Sequence, residues 1–182
     1  MKRVFGDFIE QFRKDTEARW RAASINPHIY EFQIQPGTKW NPGLNDPEIA
    51  AYENALSARF PHDFRTFLRA MNGTDLPTLN VYGYCGEPHR ESVGVYSYPR
   101  DLERIKSLIE MGREGWDVLI TTMADQGFSL DEAASLVPIY AHRYVVCTSD
   151  LDSSVVLSIA DAEDAIVYGS SLQEYLEREF LG

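Results

Sequence analysis

Three apolar runs near the C-terminal end of the chain limit its fold more than any other feature. Tyr144-Val145-Val146-Cys147, Val155-Val156-Leu157-Ser158-Ile159 and Ala165-Ile166-Val167-Tyr168 are rich in β-branched and aromatic residues. Such residues suit a pleated, buried surface. The links between the runs, residues 150–153 and 160–164, are polar and short. A parallel crossover needs a dozen or more residues, so antiparallel hairpins are the economical connection. The β pattern is expected to begin at Val137. After Gly169, Leu172, Tyr175, Leu176 and Phe180 have the spacing of a closing helix.

Helical periods dominate the first 125 residues outside two segments, 26–45 and 78–98. Phe5, Phe8, Ile9 and Phe12 form one helical stripe, predicting a helix that ends near Ser24. Residues 26–45 hold three prolines and two glycines and read as irregular chain, with one short strand at Tyr30–Gln33 and Trp40 as its anchor. Asp46-Pro47 is a helix start, with Asp46 as the capping acceptor and Ile49, Tyr52 and Leu56 on the buried face. A second helix starts at Pro61, carries Phe64, Phe67, Leu68 and Met71, and stops at Asn72-Gly73. Residues 78–98 predict one or two strands around a loop at 85–91. Residues 100–126 return to helix, interrupted at Gly115. Ser129-Leu130-Asp131-Glu132 has capping-box spacing and predicts a short helix to Ser135. Helices, then a strand meander, then a helix is an α+β order, with a mostly antiparallel sheet packed against helices in one domain.

Charge excludes several functions. Seventeen Lys and Arg against twenty-eight Asp and Glu give −11, with a pI near 4.8. Phosphate neutralisation needs basic residues, so a nucleic-acid partner is not expected. An anionic membrane surface repels the chain, and no run reaches the 18 apolar residues of a membrane span. A basic partner would be attracted. The balance is uneven: residues 1–24 carry six basic and four acidic residues, and residues 144–182 carry eight acidic residues and one arginine. The charged N-terminus lacks the apolar core of a signal peptide, and two cysteines make no disulfide framework. The expected setting is the cytoplasm.

Candidate chemistry is sparse. His28, His62, His89 and His142 have no partner at a metal spacing. A hydrogen-bonded structural role is favoured for His142, a base or ligand role being the alternative; His62 is expected at the surface. Cys147 is expected to be a buried, inert thiol, and Cys85 lies in a Gly-rich loop. Asp150-Leu151-Asp152 follows an apolar strand, as in metal-dependent nucleotide-sugar transferases, but its polar neighbours favour an ordinary turn. Glu53 is expected to be solvated, with an inward position as the alternative. Phosphate-loop, dinucleotide and nucleophile-elbow motifs are absent. No metal or cofactor is expected, and the chain is expected not to be an enzyme.

One resemblance spans residues 40–182. Trp40-Asn41-Pro42, Ile49, Glu53, Leu56, then Phe60-Pro61-His62-Asp63-Phe64-Arg65-Thr66-Phe67-Leu68 and Asn72-Gly73 resemble the N-terminal signature of the SUKH superfamily. That superfamily includes fungal cell-wall-assembly regulators and bacterial toxin-immunity proteins. Val137-Pro138-Ile139-Tyr140-Ala141-His142-Arg143-Tyr144, the Val155–Ile159 strand and Asp164 through Leu176 resemble a subgroup with a "PIyghR" strand, a "vlS" strand and a "yG-x-x-L-x-e-Y" helix. Residues 1–24 and 100–130 look like additions to that pattern. The resemblance implies an antiparallel sheet against helices and an immunity protein whose partner is a cognate toxin domain. Toxins acting on nucleic acid have basic substrate surfaces, so the expected partner-binding residues are Asp150, Asp152, Asp161, Glu163 and Asp164, with Glu87 and Glu91 as a second patch. A scaffold or regulatory adaptor, or a metal-dependent transferase using Asp150 and Asp152, are the alternatives. The apolar stripe of the first helix permits a homodimer, with docking on its own chain, as a monomer, the default.

Overall fold

The structure, a computed structural model, describes residues 5–29, 32–80, 89–90, 94–152 and 154–182, and only the backbone of residues 80, 89 and 90. The elements run α1 (Phe5–Arg21), β1 (Phe32–Gln33), β2 (Trp40–Pro42), α2 (Asp46–Leu56), α3 (His62–Ala70), β3 (Met71–Thr74), β4 (Leu79–Asn80) and β5 (His89–Arg90). They continue with α4 (Leu102–Glu114), α5 (Trp116–Asp125), β6 (Ser135–Tyr140), β7 (Arg143–Cys147), β8 (Val156–Ile159), β9 (Ala165–Gly169) and α6 (Leu172–Phe180). The fold is α+β, with antiparallel sheets that do not close into a barrel. Among the described residues, no helix is long and apolar enough to cross a membrane.

The expected meander is present as β6-β7-β8-β9, every neighbour antiparallel. Alternation along its strands explains its place at the centre. Val137, Ile139, Val145, Cys147 and Val156 join one core with α1, α2, α3 and α6. Leu136, Tyr144, Val146, Leu157 and Ala165 point the other way into a second core with Leu119 and Met123 of α5. Successive strand side chains face opposite sides, so one sheet serves both cores. On the outermost strand, the Ala165 carbonyl accepts from Gln126 Nε2 at 2.7 Å and the Tyr168 carbonyl from Arg178 Nη1 at 3.1 Å.

Helix α1 buries its apolar stripe within its own chain. Phe8, Ile9, Phe12 and Trp20 are buried, and the helix packs on α3 and α6 within the same chain. Trp40 is the anchor expected of the 26–45 segment, and it lies in β2 rather than in irregular chain. Its ring lies against Phe12, Trp20, Phe67 and Phe180, and its Nε1 donates to buried Thr16 Oγ1 at 2.8 Å.

Three local expectations are corrected, and a fourth is met as far as the described residues reach. The cap of α2 is Asn45, not Asp46: its side chain accepts from Glu48 N at 2.9 Å while Glu48 returns a bond to Asn45 N at 2.8 Å. Helix α3 ends at Ala70, and Met71-Asn72-Gly73 belongs to β3, paired with β2. Gly73 has φ +72°, and a Cβ there would lie 2.7 Å from Ser97 Cβ. The predicted helix at 129–135 is a turn in which Asp131 Oδ1 accepts from Ala133 N at 2.8 Å and the Asp131 carbonyl from Ala134 N at 2.9 Å, and Ser135 already starts β6. The strand expected at Tyr30–Gln33 is seen at Phe32–Gln33 only, residues 30–31 lying outside the described residues.

Candidate functional site

The loop joining β7 to β8 carries Asp150 and Asp152 and is fixed to the start of α3. His62 N donates to the Leu151 carbonyl at 2.9 Å, and Ser154 Oγ donates to Asp63 Oδ1. Inside the loop, Asp150 Oδ1 accepts from Asp152 N at 3.0 Å, and Asp150 N donates to Thr148 Oγ1 at 3.2 Å. The side chain of Asp152 is 91% exposed, with its Oδ1 3.8 Å from Nε2 of the exposed His62. The two carboxylates are thus engaged in different directions, as in a turn. Asp150 also borders a small cavity of about 190 Å³ with Asp131, Ser129, Phe128 and Val155. Partial burial pushes the Asp63 carboxyl up from 3.8 to about 6, against the opposing pull of its bond from Phe64 N at 2.7 Å.

The β8–β9 loop carries the second acidic group. Asp161 Oδ1 accepts from Glu163 N at 2.9 Å and from Asp164 N at 2.7 Å, so one carboxylate fixes the loop. Asp161, Glu163 and Asp164 are all exposed. Nearby His142 is half-buried in the β6–β7 turn, and its carbonyl accepts from Ile159 N at 2.9 Å. Burial lowers its pKa, Arg143 lowers it further and Asp164 opposes both.

The five carboxylates do not form one patch. Successive links of a meander leave opposite ends of the shared strand, so Asp150 and Asp152 lie at one end of β8 and Asp161, Glu163 and Asp164 at the other. The four residues of the intervening strand separate them by roughly 13 Å, at about 3.3 Å per residue. Glu87 and Glu91, the second expected patch, lie outside the described residues, as does Cys85.

Glu53 corrects the expectation of a solvated residue. It is 4% exposed. Its Oε1 accepts from Phe60 N at 2.8 Å, and both oxygens accept from Arg65 Nη1, at 3.2 and 3.0 Å. The partners explain how the charge tolerates burial. Cys147 is a buried free thiol, and burial pushes its pKa well up, as do Glu53 and Asp63 nearby, so it is a poor nucleophile. Arg143 bonds Glu179 Oε2 at 3.1 Å and Ser158 Oγ at 2.8 Å. Arg143 and Arg178 each lie 4.1 Å from the Tyr168 ring centre. Among the described residues, no three His, Cys, Asp or Glu side chains gather as a metal-binding group. What the two loops can do chemically is present negative charge in a fixed geometry.

No family model matches the chain. Over 110 residues, 60% of the chain, it is 26% identical to an Aquifex aeolicus (strain VF5) protein described as "Probable inorganic carbon transporter subunit DabA". The chain spans only 9% of the length of that protein.

Proposed function

We propose that the protein is a non-catalytic immunity protein of the SUKH type. It binds a cognate bacterial toxin domain, a nuclease or other nucleic-acid-modifying enzyme, and covers its active site from within the cytoplasm. The observation that carries this reading is the pinning of exposed carboxylates on two short loops by the loops' own backbone amides. A carboxylate held in place before binding loses less entropy on binding. Grouped negative charge also mimics a phosphate backbone and speeds capture of a basic surface. The resemblance along residues 40–182 and the net charge of −11 support the same reading.

The test is co-expression with the polypeptide encoded beside it, scored by cell survival and by affinity capture at low and moderate salt. Protection, with near-stoichiometric recovery of one basic polypeptide, is expected. A neighbouring toxin that kills equally well with and without this protein, and is not retained by it, would refute the reading.

A further inference from the structure

A groove of about 260 Å³ opens where α4 meets α5, lined by Leu108, Met111, Gly112, Leu119, Tyr144 and Ile159. The β8–β9 loop closes it through Ala160, Asp161 and Ala162. Glycines shape it. At Gly115 a Cβ would lie 2.7 Å from Ala162 Cβ, so the helix junction sits directly on the loop, whereas a Cβ at Gly112 would meet nothing within 4 Å. Met111, 62% exposed, stands at the mouth. The volume falls below the roughly 300 Å³ where small-molecule sites begin, and suits one or two side chains.

The surroundings are acidic. Asp161 edges the groove on the loop, Glu163 and Asp164 are exposed just after it, and Glu110, Glu114 and Asp117 are exposed on the two helices. Arg113 is engaged elsewhere: it donates to the carbonyls of Glu132 at 3.3 Å and Ala134 at 2.5 Å and lies 4.0 Å from the Trp116 ring centre. An apolar centre with a charged rim is the anatomy of a protein interface, and methionine is enriched there.

We infer that this groove docks an apolar side chain carried on a basic segment of the partner protein, with lysines or arginines of that segment facing the Asp161–Asp164 loop. The inference rests on the immunity reading in taking the toxin as the partner. It makes the α4–α5 excursion, with the Asp161 end of the sheet, the contact surface, rather than the Asp150 end.

The test uses the full chain labelled with ¹³C at its methionine methyl groups and titrated with a twelve-residue amphipathic Lys/Leu peptide. The Met111 signal is expected to shift saturably, and those of buried Met71 and Met123 to stay nearly fixed. Replacing the leucines by alanine, or the lysines by glutamate, should abolish the shift. Gly112→Trp fills the groove and should weaken binding about tenfold. Met111→Lys, at an exposed site, is the second variant, read by anisotropy of labelled peptide. Combined Asp161→Asn, Glu163→Gln and Asp164→Asn should weaken binding and flatten its salt dependence, while Asp150→Asn with Asp152→Asn should not. Equal binding of the alanine peptide, or unchanged binding to both groove variants, would overturn the inference. So would a concentration-dependent Met111 shift without peptide, which would make a second copy the occupant. Peptide binding without any toxin protected against would fault the immunity reading alone. Full protection by folded Gly112→Trp and Met111→Lys would fault the groove alone.

Discussion

The buried Glu53 carboxylate accepts from Arg65 Nη1 through both of its oxygens, at 3.2 and 3.0 Å, while one of them also takes Phe60 N at 2.8 Å. The pair thereby joins α2 to α3 across the chain segment that connects them. Removing one partner leaves the other charge or amide unmatched. Arg65→Met should destabilise the fold by about 2–4 kcal/mol, since Glu53 would stay buried without its counter-ion. Glu53→Gln with Arg65→Met should cost less than Arg65→Met alone, because the neutral amide still accepts from Phe60 N. Urea unfolding of the two variants provides the comparison, and a double variant weaker than the single one would contradict it.

Asp63 should make stability fall as pH rises. Its folded pKa of about 6 lies above its ordinary 3.8, so the folded state holds the proton more tightly than the unfolded state. The stability contributed by that proton is complete below about pH 4 and is lost as pH rises through about 6. Asp63→Asn keeps an acceptor for Phe64 N and Ser154 Oγ and removes the titration. It should exceed the wild type by about 1 kcal/mol at pH 7.5, a value reduced for the partial exposure of the carboxyl, and match it at pH 4. Unfolding at four pH values decides this, and a difference independent of pH would exclude Asp63 as the cause.

Thr16 is a further test of buried pairing. Its hydroxyl accepts from Trp40 Nε1 at 2.8 Å and donates to the Phe12 carbonyl at 2.8 Å. Thr16→Val preserves the shape and leaves the indole N–H unpaired in the core, at a cost of about 1–3 kcal/mol. Thermal melting should show that loss together with a shift in tryptophan emission. An unchanged melting temperature would mean that the bond contributes nothing net.

Gly73 offers a backbone test. Gly73→Ala must adopt φ +72° and set its Cβ against Ser97 Cβ and the Val95 carbonyl. A loss of about 2 kcal/mol or more is expected, above the usual cost of alanine at positive φ alone. Gly112→Ala, whose Cβ would meet nothing within 4 Å in α4, should instead be neutral or stabilising.

Much of this architecture was legible because its signals were local. β-branched runs with short polar links gave the four-stranded meander, and the Phe5–Phe12 stripe gave α1. Where two local rules compete, the sequence alone does not choose. Ser129-Leu130-Asp131-Glu132 fits a capping box, yet Asp131 bonds the amide two residues on and closes a turn. Glu53 was missed although a signal existed: it stands four residues after Ile49 and three before Leu56, on the buried face of α2. Its counter-ion lies twelve residues further on, and only the packed helices bring it near. Asp150 and Asp152, and Asp161, Glu163 and Asp164, lie on the loops where the sequence put them, but hairpin order already implies that consecutive loops leave β8 at opposite ends. The groove between α4, α5 and the β8–β9 loop had no local signature, since its walls come from segments some forty residues apart.

The side chains of Gln126 and Arg178 on the carbonyls of β9 bear on how the protein behaves when it is abundant. An outer strand with open carbonyls is a template on which another chain can add a strand. Here two of those acceptors are taken by side chains from α5 and α6. Lengthening of the sheet from copy to copy across this border is thereby disfavoured.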